Sequence, residues 1–200
     1  MLGFSAISEA AISALPDRLS LQIAEGSKKA SLVVSSLIIP SEETYEGVLV
    51  GSTSALWHRI IRELGNDWSV AFQISSRQWE ELIAGAFTET KLFDEVVLTP
   101  ATGDKGRDVI AIKRGVLSIR MVGSVKAYAA DNLVRHDDVR ALAGVLLREP
   151  HTSKGIITTT SDFPESIAEE FAPLISTRLE LMNGKMLQAW LSELSDKKKL

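Results

Sequence analysis

The sequence predicts an α/β fold, with a mixed β-sheet core flanked by helices and a small α+β unit before it. Two observations support this prediction. Over residues 70–200, segments with the apolar spacing of a helix alternate with short β-branched runs, as in helices packed on a sheet. The composition is that of a folded domain, with 45% hydrophobic residues and a mean hydropathy of +0.09.

The amino-terminal unit is predicted to span residues 1–69. Residues 19–23 alternate as a strand, residues 32–39 form a β-branched run, and residues 54–64 have helical spacing. The sequence Gly65-Asn66-Asp67 favours a loop and places the border near residue 70. These residues carry no motif that assigns the unit a function.

The main domain, residues 70–200, is predicted to alternate helices and strands. The expected order is a helix over residues 76–88, strands over 95–99, 108–112 and 117–126, a helix over 136–148, a strand over 154–160, a helix over 163–171, a strand over 177–182 and a terminal helix. Ser75 or Ser76 can cap the first helix, and Pro164 falls in a first turn, where proline is tolerated.

Composition excludes several classes of protein. The formal charge of −4 argues against a broad non-specific nucleic-acid surface, although residues 103–140 carry eight basic side chains against five acidic ones. No apolar stretch approaches the roughly 18 residues that cross a bilayer, so we expect a soluble cytoplasmic protein without a membrane partner. With no cysteine, any metal must bind to oxygen or imidazole, and the three histidines lack zinc-ligand spacing.

Three residues in fixed order carry the chemistry: Glu80, Asp108 and Lys126. A metal-dependent phosphodiesterase needs oxygen ligands that hold a hard divalent cation over the scissile phosphate. Two carboxylates and a lysine would meet that need. The order therefore indicates a metal-dependent nuclease.

With these anchors, residues 74–192 resemble the Mrr-type restriction endonuclease family of the PD-(D/E)XK nuclease superfamily. The resemblance rests on Gln78-Trp79-Glu80-Glu81, Leu98-Thr99-Pro100, Gly103-Asp104-Lys105-Gly106-Arg107-Asp108, Gly155-Ile156-Ile157-Thr158-Thr159-Thr160-Ser161 and Leu179-Glu180-Leu181-Met182-Asn183-Gly184. It implies a restriction-endonuclease-like fold and a Mg²⁺-dependent or Mn²⁺-dependent endonuclease that cuts DNA, in defence against foreign DNA. A homodimer would suit the cutting of both strands.

The resemblance also implies residue roles. Asp108 is the principal metal ligand, Glu80 helps to hold the metal or its water, and Val125 completes the ligand set. Lys126 positions the nucleophile and stabilises negative charge. Where the family usually has Gln or Glu, this chain has Ser124, whose hydroxyl can reach a metal-bound water but supplies no charge. Two other hypotheses follow: a weak or inactive module that binds DNA or a protein, and a nuclease that is silent without its partner.

Other polar residues near the anchors have alternative interpretations. Glu81 could replace Glu80 as the functional carboxylate, or both could be an acidic first turn of a helix. Asp104 is interpreted as a turn former. The candidates for contacts with nucleic-acid phosphates, which could equally be solvated surface cations, are Lys105, Arg107, Arg135 and Arg140.

Strand geometry gives a further expectation. Ser124 and Lys126 should point to one face of their strand, opposite to Val125. A two-residue turn at Arg114-Gly115 would pair Asp108 with Met121 instead of Lys126. We therefore expect a longer loop, or a bulge at Gly123.

Overall fold

The strands lie in one seven-stranded sheet, in which their order in space is their order along the chain. This architecture comes from a computed structural model, which describes residues 36–101, 106–116 and 118–196. The strands are β1 (Ile38–Thr44), β2 (Gly47–Thr53), β3 (Glu95–Leu98), β4 (Val109–Lys113), β5 (Ile119–Lys126), β6 (Lys154–Thr159) and β7 (Leu179–Met182). Strands β1 to β5 pair antiparallel, whereas β5, β6 and β7 pair parallel. The predicted α/β class is confirmed.

Helices cover both faces of the sheet. They are α1 (Ala55–Asn66), α2 (Ser76–Glu89), α3 (His136–Arg148), α4 (Glu165–Glu170), α5 (Ala172–Ile175) and α6 (Gly184–Asp196), with a 3₁₀ helix at Trp68–Gln73. On one face, Val109 and Val125 share a core with residues of α1, α2 and α6. On the other, Ile110 and Val122 share a core with residues of α3 and α4. None of the described helices is long and apolar enough to cross a membrane.

Helix α2 begins as its sequence predicts. Of the two serines proposed as caps, Ser75 is the N-cap, and its hydroxyl accepts a hydrogen bond from the backbone N–H of Gln78. The Gln78 side chain accepts in return from the Ser75 backbone N–H at 3.0 Å. This reciprocal capping fixes the start of the helix that carries Glu80.

Residues on both sides of the predicted border near residue 70 belong to one sheet. Strand β2 pairs with β3, for example Val48 with Leu98, so residues before the border continue the same sheet. The predicted strand over residues 19–23 lies outside the described residues. The β1–β2 hairpin was not predicted, because six of the seven residues of β1 are exposed and show no apolar alternation.

The register between β4 and β5 sets the position of the anchors. The ladder runs without a shift from Val109 opposite Gly123 to Lys113 opposite Ile119, so the connection is longer than a two-residue turn. No bulge interrupts this ladder. At its end, however, the Asp108 backbone N–H donates to the Gly123 carbonyl at 2.8 Å, one residue out of step with the ladder. Regular pairing of β4 and β5 therefore ends at Asp108.

Candidate active site

Asp108 lies immediately before β4 and is only 7% exposed. Its carboxylate Oδ2 accepts a hydrogen bond from the backbone N–H of Val125 at 2.6 Å. Its own carbonyl accepts from the Thr99 N–H at 3.0 Å, at the end of β3. The residue is therefore fixed by the strands on both sides of it, and its carboxylate is held against the strand that carries Lys126.

Ser124 and Lys126 alternate with Val125 along β5, as strand geometry requires. Val125 packs into the core on the α2 face, and Ser124 is buried. The Lys126 Nζ lies 3.8 Å from Asp138 Oδ1, in the first turn of α3 on the opposite face. Behind the lysine, the Thr159 hydroxyl of β6 donates to the Lys126 carbonyl at 2.8 Å. Lys126 is thus directed towards α3.

Asp138 belongs to this environment, although it was not among the predicted site residues. The Tyr128 hydroxyl donates to Asp138 Oδ2 at 2.9 Å, and the backbone N–H of Arg135 donates to the same oxygen at 3.2 Å. Burial raises the pKa of Tyr128, and the hydrogen bond to Asp138 and the negative charge of Asp138 raise it further. The available sequence signal was an acidic first turn in the helix that follows the lysine-bearing strand.

Glu80 projects from α2 and is paired with an arginine of the same helix. Its carboxylate lies 2.6 Å from Arg77 Nη1. The same nitrogen donates to the Thr99 carbonyl at 2.9 Å. Since Thr99 also pairs with Asp108, Glu80 is connected to the Asp108 end of the sheet through Arg77.

The adjacent Glu81 makes different contacts. Its Oε2 accepts from the backbone N–H of Leu37 at 2.7 Å and from the Ser36 hydroxyl at 3.3 Å. Glu81 therefore secures the chain at the beginning of β1. Of the two carboxylates, Glu80 is the one connected to Asp108.

The predicted phosphate-contacting cations differ in their surroundings. Arg107 is 12% exposed at its side chain and lies 2.7 Å from Glu149 and 3.5 Å from Glu46. Two carboxylates therefore lie next to an arginine that was predicted to contact phosphates. Arg135 and Arg140 are exposed at the start of α3; Arg140 also lies 2.8 Å from Glu170, which raises its pKa. Lys105 and Asp104 lie outside the described residues.

Comparison with known proteins adds to this geometry. The family model Mrr_cat, described as restriction endonuclease, matches residues 72–191. The chain belongs to this restriction endonuclease family. The match includes every predicted site residue from Glu80 to Arg140. A search of curated proteins finds no match.

Two solved structures show a distant similarity to this chain. One is the MspJI restriction endonuclease in complex with a 27-mer oligonucleotide, with a TM-score of 0.47, 15% identity, and coverage of 73% of this chain and 36% of that chain. The other is the DNA modification-dependent restriction endonuclease AspBHI, with a TM-score of 0.40, 19% identity, and coverage of 73% and 41%. The chain thus spans less than half the length of either.

The restriction endonuclease family implies a divalent cation, and the groups around Asp108 show which atoms could bind it. No group of three or more His, Asp or Glu side chains suited to a metal occurs among the described residues. The available donors are oxygens: the Asp108 carboxylate, and the carbonyl of Val125, which points to the same side as its N–H. A set of this kind fits a hard cation such as Mg²⁺, which keeps several waters and needs one or two carboxylates.

Proposed function

We propose that this chain is a metal-dependent DNA endonuclease of the Mrr restriction type, which hydrolyses phosphodiester bonds of foreign DNA in the cytoplasm. One observation carries the proposal: the buried Asp108 carboxylate is bound to the backbone N–H of Val125 at 2.6 Å. The contact sets a carboxylate beside the strand segment that bears Ser124 and Lys126. Membership of the restriction endonuclease family supports this assignment.

In this proposal, Asp108 and the Val125 carbonyl hold Mg²⁺ or Mn²⁺, and Glu80 contributes its carboxylate directly or through a water. When bound there, such a cation would provide Lewis-acid chemistry that orients a water and neutralises negative charge on the phosphoryl group. Arg77 keeps Glu80 in place, because it joins the Glu80 carboxylate to the Thr99 carbonyl.

Lys126 acts on the attacking water and on the phosphate. Its ammonium group orients the water through a hydrogen bond and stabilises negative charge as it develops on the phosphoryl oxygens. Ser124 lies on the same face of β5 and offers a hydroxyl that can hold a water. Because a hydroxyl is neutral, the negative charge of the site depends on Asp108 and Glu80.

DNA binding is assigned to exposed cations near the lysine. Arg135 is 75% exposed at its side chain, and Arg140 is 55% exposed on the same helix. We assign both to phosphate contacts. Arg107 is also assigned to a phosphate contact, which requires its ion pair with Glu149 to break. Lys105, in the segment before Asp108, is assigned the same role. A two-fold dimer would place one such site on each strand of a duplex.

The deciding experiment measures cleavage of supercoiled and linear DNA, plain and methylated, with Mg²⁺ or Mn²⁺. The native chain is compared with Asp108→Asn and Lys126→Ala. Matched controls are Asp94→Asn and Lys113→Ala, an exposed carboxylate and lysine that lie 3.5 Å apart at the other end of β4. We expect metal-dependent cutting that the first two substitutions abolish and the controls preserve.

Three other results would reject the proposal as stated. A folded native chain that cuts no substrate and binds neither metal in calorimetry would identify a binding module built on the nuclease fold. A chain that binds metal without cutting would identify a nuclease that requires a partner. Equal loss of activity in the control variants would show that the assigned residues have no special role.

A further inference from the structure

The Asp138 carboxylate is almost enclosed beside the proposed catalytic lysine. Its side chain is 10% exposed, and its two oxygens face different groups. Oδ2 accepts from the Tyr128 hydroxyl and from the backbone N–H of Arg135, and it also lies 3.7 Å from the Nε of the exposed Arg135 side chain. Oδ1 is the atom that lies 3.8 Å from Lys126 Nζ. One oxygen therefore serves the start of α3 and Tyr128, while the other faces the lysine.

The groups around Asp138 are held firmly by the adjacent strand. The Thr160 hydroxyl accepts from the Tyr128 backbone N–H at 2.8 Å and donates to the Tyr128 carbonyl at 2.6 Å. The Thr159 hydroxyl secures the Lys126 carbonyl in the same way. Both threonines are buried. The side chains of Lys126 and Tyr128 therefore extend from a backbone segment that is fixed on both sides of Ala127.

The distance between Lys126 and Asp138 favours an electrostatic restraint on the lysine over a direct hydrogen bond between the two side chains. Charge-assisted N–H···O bonds are about 2.7–2.9 Å long, and the 3.8 Å between Lys126 and Asp138 is longer. At this distance the carboxylate attracts the ammonium group and leaves its hydrogen atoms able to reach another acceptor. Within the described residues, no second carboxylate forms an ion pair with Lys126.

We propose that Asp138 is a positioning residue that sets the direction of the Lys126 ammonium group, with Tyr128 orienting the Asp138 carboxylate. The inference rests on the proposed nuclease function and deepens it. Because Ser124 brings no charge next to Lys126, a carboxylate from the following helix is the group that restrains the lysine. In the sequence, Asp138 has the pattern of an ordinary acidic residue in the first turn of a helix, and it does occupy that position in α3.

The test measures kcat and KM for metal-dependent DNA cleavage by the full chain, corrected for the folded fraction. Asp138→Asn keeps an oxygen for Tyr128 and for the helix start but removes the charge that faces Lys126. We expect kcat to fall about 10–100-fold, as for other residues that act through a neighbouring functional group, with KM within about twofold. Asp138→Glu restores the charge and should recover part of kcat.

The matched control is Asp137→Asn. Asp137 is the adjacent first-turn acid, is 84% exposed at its side chain and pairs with Arg140 instead of Lys126. The kcat of Asp137→Asn should equal that of the native chain. A similar loss in Asp137→Asn would indicate a general effect of charge at the helix start and would overturn the proposal.

Other outcomes separate this inference from the proposed function. Native kcat in Asp138→Asn, with Asp108→Asn inactive, would overturn the inference and leave the nuclease assignment intact. A native chain that cuts no DNA would overturn both. If Asp138→Asn does not fold, Tyr128→Phe decides: a lowered kcat supports the positioning role, and an unchanged kcat rejects it.

Discussion

The carboxylate of Asp108 and the backbone N–H of Val125 are joined at 2.6 Å, at the point where regular pairing of β4 and β5 ends. A side chain thus takes over the hydrogen bonding that a strand would otherwise provide. The contact has two separable consequences, one for stability and one for the chemistry of the site.

Asp108→Ala and Asp108→Asn should differ in stability but not in activity. Alanine leaves the Val125 N–H without its acceptor and should lower the free energy of unfolding by about 1–3 kcal/mol. Asparagine retains an oxygen for the N–H and should lose less, while both substitutions remove the charge that cleavage needs. Urea unfolding and DNA cleavage measure the two effects. Equal stability of the two variants would contradict the structural part of this prediction.

Arg77→Ala and Glu81→Gln should separate the roles of the two adjacent glutamates of α2. Arg77 holds the Glu80 carboxylate at 2.6 Å, so its loss should lower kcat about 10–100-fold. Glu81→Gln weakens the contact with Leu37 and should lower stability without changing kcat of the folded enzyme. Cleavage rates and thermal unfolding distinguish them. A kcat loss confined to Glu81→Gln would transfer the functional role to Glu81.

Most elements of the main domain could be predicted from the sequence because each buries one face. Helix α3 was predicted at the residues where it occurs, and β3 differs by one residue at its end. The β1–β2 hairpin has no such pattern, since its first strand lies at the sheet edge and is mostly exposed. Its place depends on pairing with β3, which is distant in sequence.

The candidate site was predictable only in part. Asp108 and Lys126 are marked by their motif, but the contact between Lys126 and Asp138 depends on how α3 crosses β5. Arg107 shows the opposite case, in which a cation next to the motif meets Glu149. Such partners are decided by tertiary packing, which residue spacing does not encode.

Glu46→Gln should change the pH dependence of stability. Glu46 accepts two hydrogen bonds from Arg120, at 2.5 and 2.9 Å, and this contact holds the pKa of the Glu46 carboxyl below its usual value of 4.5. A lowered pKa in the folded state gives stability that is present above pH 4.5 and is lost as the pH falls through the folded-state pKa.

Because this ion pair is partly exposed, the difference in unfolding free energy between the native chain and Glu46→Gln should be at most about 1 kcal/mol near pH 7 and should shrink below pH 4.5. Urea unfolding at several pH values measures it. Glu42→Gln, at an exposed position of β1, is the control and should show no such change. A difference that persists at low pH would reject the ion pair as its origin.

Two helical glycines should respond to alanine in opposite directions. A Cβ at Gly85 in α2 would lie 2.3 Å from Trp57 Nε1, a buried group that donates to the Leu82 carbonyl. Gly85→Ala should cost about 1–3 kcal/mol through overpacking. A Cβ at Gly144 in α3 meets nothing within 4 Å, so Gly144→Ala should stabilise by about 0.5–1 kcal/mol. Thermal unfolding of both variants tests these opposite effects, and destabilisation by Gly144→Ala would contradict the prediction.

Tyrosine titration should report the Asp138 contact without any measurement of activity. The chain has two tyrosines, and Tyr45 is fully exposed, so Tyr45→Phe leaves Tyr128 as the observed group. Burial is the largest cause that raises the pKa of Tyr128, followed by the hydrogen bond to Asp138 and by its charge. Adding Asp138→Asn should lower the pKa of Tyr128 but not to the usual value of 10.0, because burial remains.

Ultraviolet absorbance of the phenolate, followed at alkaline pH under conditions where the chain stays folded, measures this shift. Asp137→Asn in the same Tyr45→Phe background should leave the titration unchanged, because Asp137 pairs with Arg140. An unaltered pKa of Tyr128 in Asp138→Asn would show that the Asp138 carboxylate does not act on the hydroxyl in solution. Tyr128 could then no longer orient Asp138 beside Lys126, whatever the cleavage assays give.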